Sequence, residues 1–205
     1  MSMHKAELSN LLSPFLPEGT ALYLAELIDK YEVDFTISKP RKTKLGDYRY
    51  PQNGEPHKIS VNGNLNKYAF LLTSVHEFAH LTAFENYGPR IPAHGKEWKH
   101  EFNILFNPLL KMNIFPFDVT EALSNYMDNV KASSHSDERL LRVLRRYDEK
   151  KMPLVETLEI GQKFKLNGKN FVKGKKLRKY HICSEIESGR KFRVLGLAEI
   201  EKLYE

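Results

Sequence analysis

His76, Glu77 and His80 fall within one pentapeptide, and His94 follows fourteen residues after His80. In a helix, side chains four apart share a face, so His76 and His80 can aim imidazole nitrogens at one point. Zinc takes imidazole nitrogen at ~2.0–2.1 Å and prefers a tetrahedron. Two ligands from one helix then call for a third from elsewhere, with the last corner left to water. A metal held there lowers the pKa of its water to about 7. Glu77 flanks the same face, where a carboxylate can take a proton from that water and pass it to a leaving amine. The chemistry would be hydrolysis of a peptide bond.

The pentapeptide alone also fits an ordinary helix, with His76 buried on a carbonyl and His80 half exposed. Its setting favours the metal, because the segment is strongly helical and closes on Gly88-Pro89, a turn that sends the chain back. The third ligand is open to several residues. A metzincin pattern would put Gly and His where Ala83 and Asn86 stand, so that pattern is absent. His94 is favoured: it follows a loop long enough to reverse direction, and Gly95 beside it permits close backbone approach. Glu97, Glu101 and His100 are the alternatives. Glu85 is expected to point away.

Several elements must position these residues. Residues 20–31 have apolar side chains at helical spacing, with Thr20 as a cap. Three short strands follow: residues 33–38, one through Tyr48, and residues 57–63 closed by an Asn62-Gly63 turn. The helix carrying the histidines is expected from about Asn66 to Tyr87, with Leu72, Val75, Ala79 and Ala83 on one face. Another should run from Gly95 to Asn107, interrupted by Pro108. Asp118 should cap a helix reaching Val130. A polar linker then leads to a charged surface helix over residues 137–151. Pro153 marks a boundary, beyond which an Asn-Gly turn and a Ser-Gly turn define two hairpins. The fold class expected is α+β: a first domain over 1–150 and a small basic β module over 153–205.

Composition narrows the classes. The single cysteine, Cys183, excludes a disulfide framework and a four-cysteine zinc site, and is expected to be buried in a strand. It also suits a cytoplasmic location. No apolar run approaches a membrane span or a signal peptide. The net charge of +6 is unevenly placed: residues 161–193 hold eleven Lys and Arg against two Glu. Such asymmetry points to an acidic partner such as nucleic acid. The candidate contacts are Lys173, Lys175, Lys176, Arg178, Lys179, Arg190, Lys191 and Arg193. Phe171, Tyr180 and Phe192 are interleaved for stacking on bases. A solvated sheet surface with lysine-guarded edges is the competing reading. The smaller cluster Lys39, Arg41, Lys42 and Lys44 reads as a soluble loop, and Trp98 as a core anchor behind the metal.

The residues "HEFAH" followed by "AHGKEW" resemble the SprT-like family of zinc metalloproteases. Its pattern of His-Glu-x-x-His, a loop, then His-Gly-x-x-aromatic is matched by His76, Glu77, His80, His94, Gly95 and Trp98. The stretch "TKLGDYRYPQNGEPHKISVNG" is similar to the family's strand region, and the resemblance covers roughly residues 20–115. It implies a minimal zincin-like fold with helices on a small antiparallel sheet, a Zn2+ held by His76, His80 and His94, and Glu77 as general base. The implied substrates are proteins bound or crosslinked to DNA. Many relatives carry a cysteine zinc ribbon after the protease domain; here Phe164, Leu166, Phe171, Tyr180, Ile182, Phe192 and Val194 would have to pack in place of that metal. The alternative function is a nucleic-acid-binding protein in which the zincin fold is only structural, with little or no catalysis.

Overall fold

The structure, a computed structural model, describes residues 5–41, 44–52, 54–128 and 137–203. It is α+β, and the chain divides into two compact units, Met1–Glu149 and Lys150–Glu205. Among the described residues no helix is long and apolar enough to cross a membrane.

The first unit opens with two helices, α1 (Lys5–Leu12) and α2 (Ala21–Lys30). Helix α1 lies outside the elements expected from the sequence; its Leu8 and Leu12 pack onto the core. Thr20 stands at the α2 cap position, but its hydroxyl donates backward to the Pro17 carbonyl at 2.7 Å instead of capping the helix.

Strands β1 (Asp34–Ser38), β2 (Gly46–Arg49) and β3 (Lys58–Asn62) form a sheet in the order β1-β3-β2. β1 runs parallel to β3 and β2 antiparallel to it, so the sheet is mixed and not the antiparallel one expected. The chain leaves β1 at one edge of the sheet and re-enters as β2 at the other, and the two meet β3 on opposite sides near its Asn62 end. Asn62 itself is 1% exposed. Its Nδ2 donates to the carbonyls of Arg41 (3.1 Å) and Lys44 (3.0 Å), while its Oδ1 accepts from Arg41 Nε at 2.8 Å. Asn62 is therefore the last residue of β3, and its value lies in its side chain more than in a turn.

Helix α3 (Lys67–Tyr87) is buried over most of its circumference, the mark of a central helix. Asn66 caps it through Ala69 N–H, and its Nδ2 donates to Leu144 O and Asp148 Oδ1. Gly88, at φ 79°, ends it as expected. Helix α4 (Lys96–Lys111) continues through Pro108 instead of stopping at Asn107. Pro108 and Ile104 are exposed, so the carbonyl that proline cannot serve meets water.

Helix α5 (Phe117–Asp128) contains Asp118 within its first turn instead of before it, and the expected end at Val130 lies outside the described residues. The Asp118 carboxylate accepts from Val119 N–H, Tyr147 Oη and Arg146. Helix α6 (Glu138–Leu144), capped by Asp137, tightens into a 3-10 turn over Arg145–Tyr147, well short of Lys151. It is more than a surface helix, because Leu140, Val143 and Leu144 are buried in the core.

The second unit is a five-stranded antiparallel sheet in the order β7-β6-β5-β4-β8: β4 (Lys163–Leu166), β5 (Lys169–Leu177), β6 (Tyr180–Glu185), β7 (Lys191–Leu195) and β8 (Glu201–Lys202). Asn167 and Gly168, at φ 51° and 81°, make the tight turn between β4 and β5. Its core is Val155, Leu158, Phe164, Phe171, Cys183, Val194 and Ile200, with Leu166 partly buried against it. Tyr180, Ile182 and Phe192 are not in that core. The buried face of β6 carries His181, Cys183 and Glu185 instead.

Candidate metal centre

The three histidines come together as their spacing demands. His76 and His80 lie one turn apart on α3, and His94 enters from the loop between α3 and α4. Nε2 of His94 is 3.1 Å from Nε2 of His76 and 3.0 Å from Nε2 of His80. An ion held by imidazoles at ~2.0–2.1 Å in a tetrahedron spaces them roughly 3.3–3.4 Å apart, close to these distances. Each imidazole nitrogen has one in-plane site, donor or acceptor, so His94 Nε2 cannot satisfy two facing nitrogens with one proton. A cation would satisfy three lone pairs at once. Among the described residues this is the group of His, Cys, Asp and Glu side chains placed to hold a metal ion.

The backbone bends to deliver His94. Its φ of 59° is left-handed, a conformation sparsely populated by residues other than glycine. Gly95 follows with an ordinary φ of −69°. Its N–H donates to Pro92 O at 2.9 Å, and a β-carbon there would meet that oxygen at 3.0 Å. Close approach therefore falls on Gly95 and the left-handed turn on His94. Of the alternative ligands, Glu101 is buried and accepts from Asn86 at 3.0 Å, Glu97 lies near Lys96, and His100 is exposed.

Trp98 closes the back of the group. It is fully buried, with its ring centroid 4.6 Å from His76, 5.4 Å from His80 and 4.8 Å from His94. Burial shapes the electrostatics. It holds the His80 pKa down at about 4, helped by His94, and lowers that of His94 as well. Both rings are then neutral at pH 7, the form that binds a metal.

Glu77 is 7% exposed. Burial, reinforced by Asp47, raises its pKa to about 8 against the opposing pull of Arg41 and Lys44. A nearby divalent cation would draw it back toward the ionised form. Gly46 on β2 makes room for this carboxylate: a β-carbon there would sit 2.7 Å from Thr73 Cγ2 and 2.8 Å from Glu77 Cγ.

Two residues beyond Gly46, Tyr48 faces the same helix. Its ring lies parallel to that of His80, 2° apart in plane, with centroids at 6.3 Å. Tyr48 Oη is 3.0 Å from His57 Nδ1, and His57 Nε2 is 3.2 Å from Glu85 Oε1. With Nε2–H donating to the carboxylate, Nδ1 accepts from the tyrosine. Sequence reasoning missed Gly46's partner, Tyr48, His57 and this role of Glu85. The period-2 alternation of Gly46 and Tyr48 was the available signal.

The basic candidates belong to the second unit. Lys175, Lys176, Arg178, Arg190, Lys191 and Arg193 are exposed, and Lys179 is half-buried with its Nζ 5.5 Å from the Tyr180 ring centroid. Lys173 is a correction. It is 5% exposed, and its Nζ donates to the carbonyls of Glu156 and Leu158. Phe171 is buried too, so of the three aromatics only Phe192 and the half-buried Tyr180 reach solvent. In the smaller cluster, Arg41 is folded onto Asn62 and Ser60 and Lys44 is paired with Asp47, while Lys42 lies outside the described residues.

Comparison of the chain with known protein families, with characterised proteins and with solved structures returns no match.

Proposed function

We propose that the first unit is a zinc-dependent peptidase of SprT-like, zincin-like type. The observation that carries this reading is the meeting of three imidazole Nε2 atoms beside a buried carboxylate on the same helix. His76, His80 and His94 would hold the Zn2+, which supplies Lewis acidity and lowers the pKa of water. The donor set of three imidazoles suits that ion and leaves a position open.

The remaining work falls to this chain's side chains. Glu77 accepts a proton as water adds to the peptide carbonyl carbon. It then gives that proton to the nitrogen as the C–N bond breaks, leaving a carboxylate and an amine. Gly46 keeps the space in which the carboxylate does this. Strand β2 is at a sheet edge, so an extended peptide can add to it by main-chain hydrogen bonds next to the histidines. Trp98 excludes water from behind the ligands.

The exposed Lys and Arg of the second unit support a nucleic-acid partner, and with it protein substrates associated with DNA in the cytoplasm. A positive surface with an exposed Phe192 and half-exposed Tyr180 fits binding through phosphates and stacking. The test is digestion of casein and histone by zinc-loaded protein, with and without DNA, against Glu77→Gln. Cleavage by the wild type and its loss in a variant that keeps zinc is the expected result. Equal cleavage by both would overturn the role of Glu77, and no cleavage by either would favour a non-catalytic nucleic-acid-binding protein.

A further inference from the structure

A half-open hollow of about 130 Å³ begins at His80 and Tyr48 and runs along α3 past Ala83 and Phe84 to the loop that carries Ile91, with Trp98 at its base. Among the described residues no Asp, Glu, Lys or Arg lines it. Its size compares with the roughly 150 Å³ apolar cavity that holds a benzene ring. A branched aliphatic or phenyl side chain would fill it, whereas a charged one would enter without a partner.

We propose that this hollow selects the substrate: it takes one apolar side chain of the bound peptide, adjacent to the bond that is cut. The proposal rests on the peptidase reading and adds its specificity. The placement follows from β2. Gly46 lies against Glu77 and Tyr48 against His80, so a peptide added to the free edge of β2 passes the carboxylate and the histidines in the same register. With its carbonyl at the histidines, a neighbouring side chain meets the mouth of the hollow beside His80. Tyr48 forms one wall, and its bond to His57 holds it there, since Oη is committed to Nδ1 and the ring cannot swing in to fill the space.

Preference should therefore be for Leu, Ile, Met or Phe. One methylene in an apolar pocket discriminates by about 10–200-fold in kcat/KM. Leu, three carbons larger than Ala, should be favoured over it by at least that much, and Asp or Lys should be rejected more strongly.

The experiment has two arms, both on the full-length zinc-loaded chain. In the first, a peptide library is digested and the new termini are sequenced for wild type, Ile91→Ala and Ile91→Phe. Ile91 is half-buried on the loop wall, so both variants should fold. The expected result is an apolar residue beside the cut in wild type. Preference should shift toward Phe in Ile91→Ala and toward Ala in Ile91→Phe, a reciprocal change that general damage would not produce. Cleavage without side-chain preference, or a preference unmoved by both variants, overturns the proposal. The second arm titrates benzene and follows the methyl NMR signals of Ala83 and Ile91. Saturable shifts of both methyls in wild type, and no saturable shift of the Ala83 methyl in Ile91→Phe, support the pocket; no saturable shift in wild type overturns it. If no peptide is cut at all, the peptidase reading fails, and the benzene titration decides the pocket alone.

Discussion

Gly46 and Glu77 are fitted to one another: the backbone of β2 passes so near the carboxylate that a β-carbon at position 46 would lie 2.8 Å from Glu77 Cγ. The glycine has no unusual φ, so its value here is space. Gly46→Ala should push Glu77 aside without touching the histidines. We expect at least a 10-fold fall in kcat, within the ~10²–10⁴-fold reach of a positioned acid–base group, with zinc content unchanged. Steady-state kinetics beside elemental analysis checks this. Full activity in Gly46→Ala would show that Glu77 has slack.

Burial of Glu77 makes a prediction about stability in metal-free protein. Its pKa rises from an ordinary 4.5 to about 8 on folding. The unfolded chain therefore releases this proton first as pH rises, and folded stability falls between about pH 4.5 and pH 8. Glu77→Gln, which has no proton to lose, should melt at a higher temperature than wild type in chelator at pH 8.5 and at the same temperature at pH 4. At ~1.36 kcal/mol per unit, the gain at high pH is on the order of a few kcal/mol. Identical melting curves at both pH values would contradict the burial.

His80 and His94 carry the opposite sign. Burial lowers both, His80 to about 4, so proton competition for these nitrogens begins only in acid. Bound zinc should be retained through pH 6 and released below about pH 5, followed by a zinc-sensitive dye across a pH series. Loss of half the metal already at pH 6.5, the value of free imidazole, would contradict this.

Lys173 separates structure from binding in the second unit. Its buried ammonium serves two carbonyls, so Lys173→Met should destabilise that unit by roughly 1–3 kcal/mol through orphaned polar groups. The salt dependence of DNA binding should stay unchanged. Reversing Lys175, Lys176 and Lys179 to Glu should do the reverse: little change in melting, and a flatter log–log slope of affinity against salt, by about 0.9 for each duplex phosphate that is no longer neutralised. Anisotropy titrations at several salt concentrations read both. Equal affinity in the triple variant and wild type would mark the basic surface as only solvated.

The chemistry-bearing part of the site was legible because local spacing carries it. His76 and His80 are brought together by the helix itself, and the Asn167-Gly168 turn and the Asn66 cap are likewise local. What was not legible depends on distant partners. Parallel pairing of β1 with β3 puts β1 and β2 on opposite edges, and Asn62, which ties the Arg41 and Lys44 carbonyls to the end of β3, reads in sequence as a turn residue. In β6 both alternating sets could face inward, since Tyr180 and Ile182 look more apolar than His181, Cys183 and Glu185. The buried set is the one whose Cys183 packs with Val155, Leu158 and Phe164 from other parts of the unit, and no local pattern in β6 reports it. Lys173 looked like one of a surface series because the two carbonyls that bury it belong to residues 15 or more positions away.

X-ray absorption at the zinc K-edge of the reconstituted full-length protein tests the centre most directly. The three-histidine arrangement predicts about one zinc per chain, with three imidazole nitrogens and one oxygen at ~2.0–2.1 Å, and loss of one imidazole from the shell in His94→Ala. A shell containing sulfur, a shell unchanged in His94→Ala, or a protein that retains no zinc would contradict the account.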